Sequence, residues 1–313
     1  MKRRLLIALA LLGVLAVLAA AFAWQQRRAA GARALQVTVR GGDAGGLPLA
    51  QPADEHMDAA ALALMPRDPA ASGLVALLVM RHGHLVYGRY GSGTTGDTVI
   101  DAGGFASALL ALSTGIAVDE RLIRTPPIVF EPAQLRSLLE ATSHEGYADF
   151  LGQQLWSRLN AAPAFISVPA AGAPVPADCC LHARVQDWLR VGGLLANEGS
   201  FEDIEIVSRG WVERMRQPQP ISATGYGVAL PSHRPGAASY EATDLFLLRG
   251  PGHWRMWIVP SLKLVVLFGA PDPGGAPSDW DESRLPNLAI EAVTDRPAVP
   301  PGTTLLQQLV PGH

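Results

Sequence analysis

Residues Phe105 to Val118 read Phe-Ala-Ser-Ala-Leu-Leu-Ala-Leu-Ser-Thr-Gly-Ile-Ala-Val, a run with no charge anywhere along it. A helix that is apolar on one stripe lies on a surface, whereas one that is apolar all round must be buried on every side. The chain therefore has to fold as several layers around this segment. It has the material to do so, with 313 residues of which 49% are hydrophobic, enough for a sizeable core. The formal charge of -3, with both signs mixed, leaves no basic footprint for nucleic acid.

Patterning around the buried run supplies the layers. Gly73 to Met80 is rich in branched apolar residues and reads as a strand, Arg81 to His84 as a turn, and Leu85 to Tyr90 as the returning strand of a hairpin. Apolar positions recur at helical spacing in Pro132–Thr142, Tyr147–Leu159, Val185–Glu198 and Ser208–Arg216, and a short helix is expected over Asp58–Met65. Strands return at Asp244–Arg249, Trp254–Val259 and Leu262–Gly269, followed by a closing helix at Leu285–Val293. Early strands, a helical middle and late strands imply one sheet assembled from both ends of the chain, with a helical insertion between. The expected class is α/β (α+β).

The N-terminus carries a targeting signal. Met1-Lys2-Arg3-Arg4 is basic, and Leu5 to Trp24 follows without a charged side chain. About 20 apolar residues suffice to span a bilayer. Ala21-Phe22-Ala23 also fits a signal-peptidase site, but the run is long for a cleaved signal, and an uncleaved anchor is the expectation. The basic cluster before it places the body across the membrane, in the periplasm of a bacterium. The expected organisation is an anchor at 1–28, a Gly/Ala/Pro-rich tether at 29–55, a folded domain at 56–296 and a tail at 297–313.

Several stretches together resemble the β-lactamase-related family, the fold of serine β-lactamases and penicillin-binding proteins, in its class C-like esterase and 6-aminohexanoate-dimer-hydrolase branch. They are Leu78–Tyr90, Gly115-Ile-Ala-Val-Asp-Glu120, Tyr147-Ala-Asp-Phe-Leu151 with Leu155-Trp156, Ala183–Gly192 with its Asp187-Trp188 pair, Gly210-Trp-Val212, and Ile258–Ser261 with Val265-Val-Leu267. The resemblance covers about Gly73 to Val293. It implies a β-lactamase/transpeptidase-like antiparallel sheet flanked by helices, with a helical subdomain from about Gly104 to Arg216.

The resemblance also implies a catalytic constellation that this chain does not carry. The family places S-x-x-K at the start of the buried helix, where the Ser is acylated and the Lys takes its proton. Here the turn reads Gly104-Phe105-Ala106-Ser107, so Gly104 stands at the nucleophile position and Ser107 at the base position. The only lysines are Lys2 and Lys263, and neither follows a serine at that spacing. Arg does not deprotonate and cannot substitute as a base. The second motif, Y-x-N, is absent from Pro126–Ala133, and Tyr147 belongs to a helix that active members also have. The third, K-T-G or H-x-G on the facing strand, becomes Gly250-Pro251-Gly252-His253. Covalent catalysis needs an activated nucleophile beside a base, so a catalytically inactive homologue is the leading expectation. Ser107 with His253 is the best remaining nucleophile–base pair, with Asp101 the nearest acid on the helix side. Three readings stay open: an inactive homologue that binds a peptidoglycan-like or acyl ligand or a partner, a serine hydrolase using Ser107, and a structural envelope protein without a pocket.

The remaining motifs are read as structure. Gly91-Ser-Gly-Thr-Thr-Gly96 matches a dinucleotide fingerprint literally but opens no helix directly, so it reads as a loop with no cofactor. His82 and His84 on a turn are read as ordinary exposed histidines, and Cys179-Cys180-x-His182 lacks the spacing of a zinc site, so no metal is expected. Adjacent cysteines bridge only with strain, and Cys179 and Cys180 are read as core packing without a disulfide framework. Ser143-His144-Glu145 is expected to be a turn.

Overall fold

The structure, a computed structural model, describes residues 35–43, 45–65, 74–232, 238–270 and 281–296. In chain order the strands are β1 (Leu35–Val39), β2 (Ala76–Arg81), β3 (His84–Tyr90), β4 (Val99–Asp101), β5 (Ala164–Val168), β6 (Leu181–Arg184), β7 (Ser200–Phe201), β8 (Ile204–Glu205), β9 (Phe246–Arg249), β10 (Arg255–Val259) and β11 (Leu264–Gly269). The helices are α1 (Ala59–Leu62), α2 (Ala106–Asp119), α3 (Pro132–Ser143), α4 (Tyr147–Phe150), α5 (Val185–Ala196), α6 (Arg209–Met215) and α7 (Arg284–Glu291). The basic and apolar leader, the start of the first expected strand at Gly73 and the tail lie outside the described residues. Among the described residues no helix is long and apolar enough to cross a membrane.

The main sheet has five antiparallel strands in the order β3-β2-β11-β10-β9. It is assembled from both ends of the chain, as the pattern of the sequence predicts. Alternate residues point to opposite faces of a strand, and here both faces are buried. Ala76, Leu78 and Met80 of β2, with Met256, Ile258, Val265 and Leu267, join one core cluster. Leu77 and Val79, with Trp257, Val259, Leu264, Val266 and Phe268, join the other. That double burial is why these strands read as continuous apolar runs. Helix α5 packs on β2, β10 and β11, and α7 packs on β11.

Helix α2 is buried along almost its whole length. Its two interior polar residues, Ser113 and Thr114, are fully buried, and Thr114 donates its hydroxyl to the Leu110 carbonyl at 2.8 Å. Trp211 of α6 donates its indole N–H to the Ala111 carbonyl at 2.9 Å. The ring lies across Gly115, where a Cβ would meet it at 2.3 Å. Glycine at that point is a packing requirement.

Three readings of the sequence change. The expected tether is structured from Leu35, because β1 pairs antiparallel with β5 in a second sheet of order β1-β5-β6-β4. Cys179 and Cys180 are joined to each other, and both are half-buried at the edge of the core, not packed within it. His82 and His84 are not idle: their Nδ1 atoms lie 2.7 and 2.8 Å from the two carboxylate oxygens of Glu55. The Gly91–Gly96 segment is a loop, pinned by the Thr94 hydroxyl on the Val75 carbonyl at 2.8 Å; of the expected Ser143–Glu145 turn, Ser143 closes α3 and His144 and Glu145 turn the chain toward α4.

The C-terminal segment is tied down by acids whose titration makes a prediction. Arg81, nearly fully buried, donates to the carbonyls of Glu55 and His56 at 2.5 and 2.9 Å and to the Asp295 carboxylate at 2.6 Å. Burial, the largest single influence, raises the Asp295 carboxyl, but the Arg81 hydrogen bond and charge together outweigh it and hold the group below its ordinary value. At Asp281 burial is likewise outweighed, by the Ser283 hydroxyl and N–H and the Ala238 N–H. A depressed folded-state value means that the unfolded chain takes up these protons first as the pH falls. The stabilisation is therefore complete above the ordinary carboxylate range and is lost below about pH 4. Urea unfolding between pH 7 and pH 3 should show a steeper acid loss in the parent than in an Asp281→Asn, Asp295→Asn double variant. Parallel curves would refute the assignment.

Candidate functional site

The N-terminal turn of α2 faces the end of β9. The chain reaches it through Asp101, whose carboxylate accepts the Gly103 N–H at 2.8 Å, and through a single turn of tight helix at Gly103–Phe105. Gly103 has a φ of +53°, and a Cβ there would meet Pro251 at 2.6 Å. A Cβ at Gly104 would stand 2.5 Å from the Arg249 carbonyl oxygen. Helix and strand backbones thus meet at Gly104, the residue the sequence reading expects at the nucleophile position. No side chain fits between them without movement.

Strand β9 ends at Arg249, so Gly250, Pro251, Gly252 and His253 fall in the turn before β10. This corrects the expectation that Pro251 occupies the facing strand. The residues on that strand beside the helix are Leu248 and Arg249. Gly250 is held against the Ala102 carbonyl, 2.5 Å from its Cβ position. His253 is buried, and its backbone N–H donates to the Ala270 carbonyl at 3.2 Å.

An open cleft of about 380 Å³ remains beside the closed turn. It is lined by Gly104 and Ser107 of the helix end, Glu131 ahead of α3, Gln219, Thr224 and Gly225 of the loop after α6, and Leu248 and Arg249 of β9. Ser107 lines this cleft and His253 does not, so the structure does not join the pair there. Among the described residues, the titratable side chains lining it are Glu131 and Arg249, and Arg249 is engaged with Glu282 at 2.7 Å. Tyr226 lies between two lining glycines, but its side chain turns into the core against Trp211 and Phe130. Burial, only partly offset by the Arg214 charge, pushes its phenol up to about 12. It therefore holds its proton at neutral pH.

Gln219 was not legible as a site residue. Its carboxamide oxygen accepts the Phe130 N–H at 2.6 Å, and its NH2 donates to the Gly225 carbonyl at 2.9 Å. It therefore ties the two loops that wall the cleft. Neither loop has a period, so no local signal marks it. Asp187, by contrast, sits in the Asp-Trp stretch of the sequence and proves fully buried. Its carboxylate accepts two hydrogen bonds from Arg184, at 2.8 and 2.9 Å, and one from the Ala162 N–H at 3.2 Å. That motif holds the fold together and stands away from the cleft. Among the described residues no group of His, Cys, Asp and Glu is placed to hold a metal ion.

No family model matches the chain, and no curated protein does. Solved structures do. A Bacillus anthracis protein designated a 6-aminohexanoate-dimer hydrolase superposes with a TM-score of 0.62 at 15% identity, covering 82% of this chain and 90% of its own. A family VIII carboxylesterase superposes at 0.58 with 12% identity, covering 78% and 98%. A penicillin-binding protein homologue from Caulobacter crescentus superposes at 0.56 with 11% identity, covering 79% and 99%. At such identities the likeness speaks for the fold.

Proposed function

From the premise that the chain carries the serine β-lactamase and penicillin-binding-protein fold, we propose that it is a non-catalytic member of that architecture. In this reading it is anchored by its N-terminal apolar segment with its body in the periplasm. It holds a small acyl or peptidoglycan-like ligand in the remnant cleft. The observation that carries the proposal is Gly104. The nucleophile position lacks a side chain, and the Arg249 carbonyl stands 2.5 Å from where a Cβ would begin. Support also comes from the loss of all three motifs and from a cleft that no lysine, histidine or phenol lines among the described residues. The leader supports the location through its basic cluster ahead of a spanning-length apolar run.

The persistent cleft favours a ligand over a pocketless structural role. One wall is apolar, with Val129, Phe130, Val228 and Leu248, and Ile221 at the same cleft is 74% exposed. Such a surface suits an acyl chain. The competing reading, hydrolysis by Ser107, has one observation in its favour, which is that Ser107 lines the cleft.

Covalent labelling separates the two. The purified full chain is incubated with a serine-reactive fluorophosphonate and, separately, with a penicillin, and its intact mass is read. The expected result is no adduct on folded protein. An adduct mapped to Ser107, and absent in Ser107→Ala, would replace this proposal with a hydrolase whose nucleophile has moved by one helical turn.

A further inference from the structure

A second cleft of about 380 Å³ opens at the opposite end of the main sheet. The register fixes its position. Arg81 of β2 pairs with Leu264, and Ala76 pairs with Gly269. The β2–β3 turn and Lys263 therefore lie at one end of the strands, and the β9–β10 turn beside the remnant cleft lies at the other. At about 3.3 Å per residue the two ends are roughly 17 Å apart.

The walls of this cleft carry opposite charges that do not pair with one another. Lys263 is bonded into one wall, its carbonyl accepting the His82 N–H at 3.0 Å. Its ammonium has no ion pair among the described residues, and it is the one described lysine. His82 and His84 on the same wall are already engaged with Glu55. The other wall is the β7–β8 turn with Glu202 and Asp203, both exposed. Neither carboxylate forms an ion pair with Lys263, although all three line one cavity. The rest of the lining mixes apolar Met80, Ala196 and Phe201 with polar Asn197 and Ser200, and Gly193 leaves room there. Arg190, nearly buried beneath it, is committed to the Gly45 carbonyl at 2.6 Å and the Leu159 carbonyl at 3.3 Å.

A concave, partly apolar lining with an unpaired ammonium on one side and exposed carboxylates on the other, Glu202 accepting a 3.4 Å hydrogen bond from the Asn160 amide, is complementary to a molecule with the reverse arrangement. We propose that this cleft binds a small zwitterion with apolar side chains, of the chemical class of an amino acid or dipeptide. Its carboxylate meets Lys263, its ammonium meets Glu202 and Asp203, and its side chains lie on Met80 and Phe201. This site is independent of the remnant cleft and does not rest on the function proposed for it.

Isothermal titration of the full chain with L-leucyl-L-leucine tests the assignment. Saturable binding is expected, and removing either ligand charge, by N-acetylation or by C-terminal amidation, should weaken it roughly tenfold or more. Lys263→Met should weaken the free dipeptide and abolish the preference over the amide. Glu202→Gln with Asp203→Asn should abolish the preference over the acetylated form. The absence of saturable binding, capped peptides that bind as tightly as the free dipeptide, or binding unchanged in both variants would overturn the proposal. The capped-peptide comparison uses the unaltered chain, so the test stands even if a variant fails to fold.

Discussion

Replacing Asp187 by Ala is expected to destabilise the domain by about 3–5 kcal/mol, the cost of removing one partner from a buried ion pair. Asp187 is fully buried at the start of α5. Its two oxygens take a forked pair of hydrogen bonds from Arg184, and its Oδ1 lies 3.5 Å from the Arg190 Nε. The two guanidinium groups feel it differently. The Asp187 hydrogen bond raises Arg184 above its ordinary value. Burial lowers Arg190, and the Asp187 charge only partly compensates. The carboxylate is thus spent mainly on Arg184, while Arg190 relies on backbone carbonyls. Without Asp187, Arg184 is left with Asp97 at 3.0 Å, Arg190 loses the negative charge beside it, and the Ala162 N–H loses its acceptor. A domain with a total stability of about 5–15 kcal/mol would then be close to unfolding at body temperature. Asp187→Asn keeps an acceptor and should fall between the two. Urea denaturation with unchanged m-value would measure the difference. A loss below about 1 kcal/mol would mean that Arg184 and Arg190 are satisfied by other groups.

The same residue marks how far the sequence could be read. The Asp-Trp stretch was visible as a helical motif, but the burial of Asp187 was not, because it depends on Arg184, Arg190 and Ala162 meeting in space. The five-strand sheet was legible because double burial leaves long apolar runs with turn residues between them. The second sheet was not. Its strands β4, β5 and β6 are short and lie among Pro, Gly and Ala, where composition speaks for loops. Strand β1 did carry a signal, since Leu35-Gln-Val-Thr-Val39 alternates apolar and polar residues, but its Gly-rich surroundings hid it. The Glu55 clamp reaches His82 across 27 residues and leaves no local trace.

For the candidate site, the residue types were legible and their spacing in the fold was not. The absence of a usable lysine needs only the sequence. That Pro251 and His253 belong to a turn, with Arg249 as the last strand residue, needs the register between β9 and β10. A sequence alignment treats Gly104 as a missing side chain. The structure adds that the space for one is occupied.

That distinction makes the last prediction. A Gly104→Ser, Ser107→Lys double variant restores the S-x-x-K spacing, and it should still form no adduct with a fluorophosphonate or a penicillin. Losing a nucleophile or its base costs an enzyme on the order of 10⁶-fold in rate, so reinstalling both would be conspicuous if geometry allowed it. Geometry opposes it. The new Cβ would lie 2.5 Å from the Arg249 carbonyl oxygen, a backbone atom with no rotamer to yield. Arg249 is itself paired with Arg255 across β10, and the preceding Gly103 is pressed on Pro251. The helix end or the strand end has to move, at an overpacking cost of about 1–3 kcal/mol, which a lower melting temperature would report. An adduct at residue 104 would show that the strand yields easily and that only side chains separate this protein from a hydrolase. A folded, destabilised and unlabelled variant would show that the backbone itself has closed on the place where the chemistry would occur.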